Sequence, residues 1–141
     1  MFCDNINIYY RSACAIPDGD SVILTGGRYT KQTVSRYDST GYVGNLADLR
    51  VGRYNHGCGS YLRHDGTKVS IGFVISLCLH QFIQVFLVAG GWADDTFPFW
   101  STEILEGVDR SWIMNTPMPR ALSGMRGLTL DNILYMTGGS Y

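Results

Sequence analysis

Three short apolar runs along the chain each end in a pair of glycines. Each run is too short for a buried helix and is rich in β-branched and aromatic residues, which predicts an interior strand buried on both faces. The copies are Val22–Thr25 before Gly26-Gly27, Val85–Ala89 before Gly90-Gly91, and Ile133–Thr137 before Gly138-Gly139. We expect the glycine pairs to lie where φ is positive or where two backbones approach closely.

A turn signal precedes each run. The signals are Pro17-Asp18-Gly19-Asp20, His64-Asp65-Gly66-Thr67 and Leu130-Asp131-Asn132. Asp-Gly and Asp-Asn between apolar segments favour a hairpin, so the residues before each turn are predicted to form a strand antiparallel to the Gly-Gly strand.

A polar loop and two further segments follow the first two glycine pairs. A third strand is predicted at 33–38 and at 102–106, and a fourth segment contains Tyr42-Val43 in one unit and Trp112-Ile113-Met114 in the next. Each unit then closes with an arginine-containing turn. Four short antiparallel strands per unit are typical of a propeller blade, so the predicted fold class is all-β.

Composition narrows the class of protein. Glycine makes up 17 of 141 residues, aromatic residues 13% and charged residues 16%, which indicates a packed, turn-rich β protein. The formal net charge is -1, so no footprint for nucleic acid or an anionic membrane is present. The first dozen residues have no basic segment followed by an apolar one, and we therefore expect a cytoplasmic location.

The four cysteines have no CxxC spacing. Cys14 and Cys58 fall at about the same place in successive partner strands. Because equivalent positions on neighbouring units face the same way, we interpret both as small buried side chains rather than as a disulfide.

The repeated pattern resembles the kelch repeat family. It has the double glycines, a Tyr followed by an acid at Tyr37-Asp38, and a Trp about half a dozen residues after an acid at Trp112. Leu105-Glu106 departs from the family, which has a Tyr there. The resemblance implies four-stranded antiparallel blades of a β-propeller, with binding surfaces formed by the loops around its central channel.

The number of units is too small for a closed ring. The chain holds two complete Gly-Gly periods and half of a third, so we expect a partial propeller over residues 11–141, with residues 1–10 outside the repeats. An open end exposes apolar strands that folded proteins pair or cover. The chain is therefore interpreted as part of a longer product or as one that must associate.

An apolar insert at 69–84 disturbs the period. Gly90 and Gly138 are 48 residues apart, near the roughly 50 of a kelch repeat, whereas Gly26 and Gly90 are 64 apart. Joining residue 68 to Val85 restores a clean turn and strand. Three origins stay open: translated intron, a genuine insertion, and a membrane segment, the last disfavoured by His80, Gln81 and Gln84.

Two groups of residues are candidates for binding. Arg53, Arg120 and Arg126 lie near the turns that close the units, where they either pack between blades or form a basic rim that recognises acidic peptides. Trp92 and Trp100, in an aromatic cluster with Phe97 and Phe99, either anchor a partner or cap the blade.

The resulting hypothesis is a protein-interaction module without catalysis, metal or cofactor, whose partner is another protein. His56, Cys58 and His64 are near one another in the sequence, but a structural zinc needs four converging ligands, which disfavours a metal site there. The acid pairs Asp94-Asp95 and Glu103/Glu106 lack the pattern of converging catalytic carboxylates. The alternative function is a fragment of a propeller enzyme of the galactose oxidase type, which would need copper held by histidine and tyrosine ligands.

Overall fold

The computed structural model describes residues 11–64 and 82–140, and every regular element within these ranges is a β-strand. The strands are β1 (Cys14–Asp18), β2 (Ser21–Thr25), β3 (Val34–Asp38), β4 (Gly41–Asn45), β5 (Gly57–His64), β6 (Phe82–Ala89), β7 (Thr102–Glu106), β8 (Ile113–Asn115), β9 (Ser123–Leu130) and β10 (Ile133–Ser140). The all-β prediction is confirmed. The predicted segment 1–10, the turn after His64 and residues 69–81 of the insert lie outside the described residues.

The strands form three antiparallel sheets. The first sheet has the order β1-β2-β3-β4 and the second β5-β6-β7-β8, while the third consists of β9 and β10. Over the described ranges no sheet closes into a barrel. Within each sheet, consecutive strands pair with each other, as the short turn signals predict.

The three predicted Gly-Gly strands lie in β2, β6 and β10, and each pairs antiparallel with the strand before it. The β9–β10 turn is the two-residue hairpin expected from Asp131-Asn132, whose φ angles of 48° and 61° are both positive. The hairpin predictions at both ends of the chain are confirmed.

The last three residues assigned to the insert belong to a strand. Phe82, Ile83 and Gln84 begin β6 and pair with the end of β5, where His64 lies opposite Phe82. The insert is therefore shorter than 69–84 at its C-terminal side. Its origin stays a prediction.

The first two glycine pairs meet both of the conditions expected of them, whereas Gly138 has a positive φ of 75° but a Cβ there would lie 3.8 Å from its nearest neighbour. Gly26 and Gly90 have φ of 60° and 65°, and a Cβ on them would lie 2.3 Å from the Arg53 carbonyl oxygen and 2.2 Å from that of Leu122. The next residue in each pair donates its N–H to the same carbonyl, at 3.0 Å from Gly27 and 2.9 Å from Gly91. Each of these two pairs therefore packs one sheet against the backbone of the segment that enters the next sheet.

The sheets stack so that the front face of one, which we define as the face directed at the following sheet, meets the rear face of the next. Ile16 and Ile23 on the front face of the first sheet are fully buried, as are Phe86 and Val88 on the rear face of the second. The other fully or nearly buried members of this core are Val34, Leu49, Cys58, Leu105 and Trp112. Trp112, one of the repeat-signature residues, therefore fills the core just before β8, while Tyr37 lies half-buried in β3.

The interpretation of Cys14 and Cys58 as unbridged side chains is wrong, because the structure joins them in a disulfide with their Cα atoms 6.0 Å apart. The register gives the reason. Cys14 pairs with Thr25, directly before the first glycine pair, whereas Cys58 pairs with Val88, one residue further from the second pair. An offset of one residue turns a side chain to the opposite face of a strand. Cys14 therefore points forward, Cys58 points back, and the two sulfurs meet between the sheets.

We predict that Gly26→Val lowers the free energy of unfolding far more than Gly19→Val. Both residues have positive φ, at 60° and 57°, but a Cβ at Gly19 meets nothing within 4 Å. The shared backbone strain costs about 1 to 3 kcal/mol, and Gly26→Val adds a clash with backbone. Urea denaturation of both variants measures the difference, and equal losses would remove the packing role of Gly26.

Candidate protein-interaction face

The loops after the first two glycine pairs lie side by side at one end of the sheets. Together with the segment that enters the third sheet they form what we term the loop face, made of residues 28–33, 92–101 and 116–122. Large aromatic side chains are exposed on it, with Phe97 76% and Trp100 63% accessible and Tyr29 also exposed. The loop face is therefore the place where the described chain presents aromatic side chains from adjacent loops.

Side chains of one loop bind the other. Arg28 forms an ion pair with Asp95 at 3.0 Å, and Tyr54 donates its hydroxyl to the same carboxylate. The bond to Asp95 raises the pKa of Tyr54, so the phenol stays neutral. The Arg28 guanidinium also lies 5.5 Å from the centre of the Tyr54 ring, and Lys31 donates to the Ala93 carbonyl. These contacts hold the two loops together.

Backbone hydrogen bonds fix the longer loop. Tyr54 and Trp92 exchange N–H and carbonyl bonds of 2.9 Å, and Phe99 donates its N–H to Gly91 at 2.8 Å. Met118 donates its N–H to the carbonyl of Trp100 at 2.8 Å. Trp100 is thus exposed from a backbone that is bonded to its neighbours.

A buried arginine binds both ends of this loop from beneath. The Arg53 guanidinium is fully buried and donates from Nη1 to the carbonyls of Gly90 at 2.9 Å and Ser101 at 3.0 Å. Its Nη2 lies 2.6 Å from a carboxylate oxygen of Glu103, which is also fully buried. Burial lowers the pKa of Arg53, and the Glu103 charge opposes that effect.

The Glu103 carboxylate is bonded on its other side as well. It accepts the N–H of Arg50 at 2.7 Å and that of Val51 at 3.1 Å. Glu103 lies on β7 of the second sheet, whereas Arg50 and Val51 belong to the segment that leaves the first. The ion pair therefore joins the two sheets while it fixes the base of the loop.

His56 lies beside this pair and is neutral. Burial, reinforced by the charge of Arg53, lowers its pKa from 6.5 to about 3. Its Nε2 lies 2.8 Å from the hydroxyl of Thr25, which itself donates to the Cys14 carbonyl, so Nε2 carries the proton. Nδ1 is buried without a hydrogen-bond partner, so a second proton there would have no acceptor.

The structure separates the three predicted arginines. Arg53 is buried, so it is unavailable to a partner and takes the packing role that was its alternative. The counterpart of Arg53 in the next unit is Leu122, because these two residues accept the equivalent glycine N–H bonds. Arg120 is exposed on the loop face, whereas Arg126 is exposed on β9 and is not among the residues of that face.

The two predicted tryptophans differ in exposure. Trp92 is half-buried and pairs with Tyr54 and Pro98 in isolated bridges, whereas Trp100 is exposed close to the segment that carries Arg120. Of the five proposed binding residues, Trp100 and Arg120 are the two that the fold brings together at an accessible place.

Sequence reasoning missed Glu103 as the partner of Arg53. A signal was present, because an acid within a strand of Thr, Ile and Leu residues that is buried on both faces needs a cation beside it.

A second repeat was also missed. Ser12, Asn55 and Gly124 have positive φ at equivalent places, and Gly124 donates its N–H to Asn55, which donates to Ser12. Three different residue types hide this repeat.

Two further features concern ligands. A groove of about 480 Å³ runs along the first strands of the three sheets, toward the ends opposite the loop face, and its wall includes Pro17, Cys58, Tyr61 and Leu128. Within residues 11–64 and 82–140, no group of three or more His, Cys, Asp and Glu side chains converges as metal ligands would. The described residues also include no helix long and apolar enough to cross a membrane.

Comparison with known proteins shows a similarity of fold and no relationship by sequence. No family model matches the chain, and no curated protein matches it by sequence. Among solved structures the chain is similar to one titled "Structure of YjhT", with a TM-score of 0.64 and 18% sequence identity. The match covers 94% of this chain and 35% of that one, so the described chain spans about a third of the length of its structural neighbour.

We predict that Glu103→Gln destabilises the fold by about 3 to 5 kcal/mol, because it leaves the buried Arg53 charge without its counterion. Glu106→Gln on the same strand is the matched control. Glu106 pairs with Arg63, whose side chain is 45% exposed, and such pairs contribute about 0 to 1 kcal/mol. Equal shifts of the urea midpoint in the two variants would contradict the role given to the buried pair.

We also predict that His56 makes stability fall on acidification. The pKa of His56 is lower in the folded state than in the unfolded one, so on acidification the unfolded state takes up a proton first. The contribution of neutral His56 to the stability of the fold is therefore complete only above about pH 6.5. From pH 7 to pH 5 the free energy of unfolding should drop by about 2 kcal/mol from this residue alone. His56→Gln should flatten the pH dependence of urea unfolding over this window, and an unchanged slope would refute the assignment.

Proposed function

We propose that this chain is part of a kelch-type β-propeller and acts as a protein-interaction module through its loop face. The observation that carries the proposal is the exposure of Phe97 and Trp100 on a loop held at both ends, by Arg53 beneath and by backbone bonds beside it. Catalysis is not part of the proposal.

The way the aromatic side chains are held supports binding. Binding is weaker when an interface residue must first be ordered, because that ordering costs conformational entropy. A backbone already held by hydrogen bonds removes most of this entropy cost. Trp and Tyr also combine large contact area with few rotatable bonds, which is why they dominate the energetic centres of interfaces. Trp100 meets both conditions.

Charge on the loop face indicates the chemistry of the partner. Asp95 is paired with Arg28, and the Asp94 carboxylate is bonded by the backbone and hydroxyl of Thr96, which lowers its pKa. Arg120 is exposed, and the described residues supply it with no ion-pair partner. A peptide with an acidic residue near an apolar one fits this arrangement.

Three observations support a propeller as the parent fold. The units repeat the same hairpin and the same stacking of front face on rear face, and the first two share the same glycine contact. The first two sheets have the four antiparallel strands of a blade, and the third has its first two. The structural neighbour is longer than this chain, as a complete ring of such units would be.

The cellular location is a separate proposal. The cytoplasm remains our expectation from the sequence, but the Cys14–Cys58 disulfide would persist there only if shielded from cellular reductants. Quantifying free thiols in protein isolated from its native cells, with alkylation before lysis, distinguishes the reduced form from the oxidised one.

We predict that peptides selected from a random display library on the purified chain bind Trp100→Ala at least about tenfold more weakly than the wild type, since a central aromatic contributes roughly 2 kcal/mol or more. Ile113→Ala, an exposed apolar residue on β8, is the matched control and should leave affinity unchanged. Fluorescence polarisation of the labelled peptides measures both. Equal binding to Trp100→Ala and wild type, or no enrichment of any peptide, would contradict the proposal.

A further inference from the structure

The front face of the third sheet carries a patch of exposed apolar side chains. In the register of β9 and β10, Leu128 lies opposite Tyr135 and Leu130 opposite Ile133, so all four share one face of the sheet. They are between 47% and 67% exposed. We term this group the front patch.

The equivalent positions in the first sheet are buried. Counting along the strands from the glycine pair, Ile16 corresponds to Leu128 and Ile23 to Tyr135, and both isoleucines are fully covered by the second sheet. The front of the second sheet is covered in the same way. A Cβ on Gly59 would lie 2.3 Å from Leu134 of the third sheet. Among the described residues, the front faces of the first two sheets are thus covered and that of the third is not.

The rear face of the first sheet is likewise not covered by another sheet of the described residues. Ala15 and Pro17 of β1 are exposed there, and Val22 and Leu24 of β2 are half-buried. The same rear positions of the second sheet, Phe86 and Val88, are fully buried against the first sheet. The described chain therefore carries one uncovered front face and one uncovered rear face.

The rear faces also share a shape that receives a front face. On the first strand of each sheet the two rear positions hold small or short side chains: Ala15 and Pro17, Cys58 and Ser60, Gly127 and Thr129. Short side chains there let the first strands of neighbouring sheets approach closely. At Gly127 the approach is so close that a Cβ would lie 1.9 Å from the Cys58 carbonyl oxygen.

We propose that the front patch of one copy of this chain packs on the rear face of the first sheet of a second copy. The contact continues an interface that the chain already forms twice within itself, between the first and second sheets and between the second and third. Because the two surfaces differ, the association is head-to-tail rather than symmetric. The formal net charge of -1 leaves little electrostatic repulsion between copies.

The test uses the full chain and two surface variants, one on each face. Leu128→Arg blocks the front patch and Ala15→Arg blocks the rear face, and both replaced side chains are exposed. Ile113→Arg, on β8, is the matched control for an added charge at an exposed apolar site. Sedimentation velocity between about 1 and about 100 µM measures association, and circular dichroism checks that each variant is folded.

We expect the wild type and Ile113→Arg to form dimers and larger species as concentration rises, and each blocking variant to be a monomer. Mixing Leu128→Arg with Ala15→Arg should restore a 1:1 dimer that grows no further, because one partner keeps an intact rear face and the other an intact front patch. If either blocking variant fails to fold, Ile133→Arg and Pro17→Arg test the same faces.

Three results would overturn the proposal. A wild type that is monomeric at about 100 µM would assign the front patch to further strands or to a different protein. Self-association of Ala15→Arg with loss in Leu128→Arg would indicate a symmetric contact through the front patch. Failure of the mixture to form a dimer would exclude the head-to-tail arrangement.

Discussion

The close approach of backbones at the glycine pairs is the constraint on which the architecture depends. At Gly26 and Gly90 the carbonyl oxygen of the chain entering the next sheet occupies the space of a Cβ. The following glycine donates its N–H to that oxygen. A side chain at the first position would therefore have to displace that backbone. The stacking of front face on rear face, the buried core and the alignment of the loops all require this contact.

The second requirement is a counterion for a buried arginine. Arg53 supplies the carbonyl that Gly27 binds and also the guanidinium that holds the ends of the 92–101 loop. Glu103 offsets the desolvation cost of the buried guanidinium, because its carboxylate neutralises the positive charge. The same carboxylate also accepts the N–H groups of Arg50 and Val51. The exposed aromatic side chains of the loop face are therefore positioned by polar groups that are themselves buried.

The same stacking rule leaves the two ends of the chain unequal. Within residues 11–64 and 82–140 each inner face packs against the neighbouring sheet, whereas the front patch and the rear face of the first sheet are not covered by described residues. Tyr135 and Leu128 are exposed where their counterparts in the first sheet are buried. Repetition of one supersecondary unit thus places the loops together at one end of the sheets and leaves one front face and one rear face exposed among the described residues.

Local signals in the sequence determined the strands, the hairpins and the glycine contacts, because apolar runs, turn residues and Gly-Gly pairs act over a few neighbouring positions. The faces of Cys14 and Cys58 and the burial of Arg53 were decided by the tertiary structure alone. A shift of one residue relative to the glycine pair reverses the direction of a side chain, and the two cysteines, separated by 44 residues in the sequence, meet because their sheets stack. The pairing of Arg53 with Glu103, fifty residues away, likewise exists only because two sheets stack.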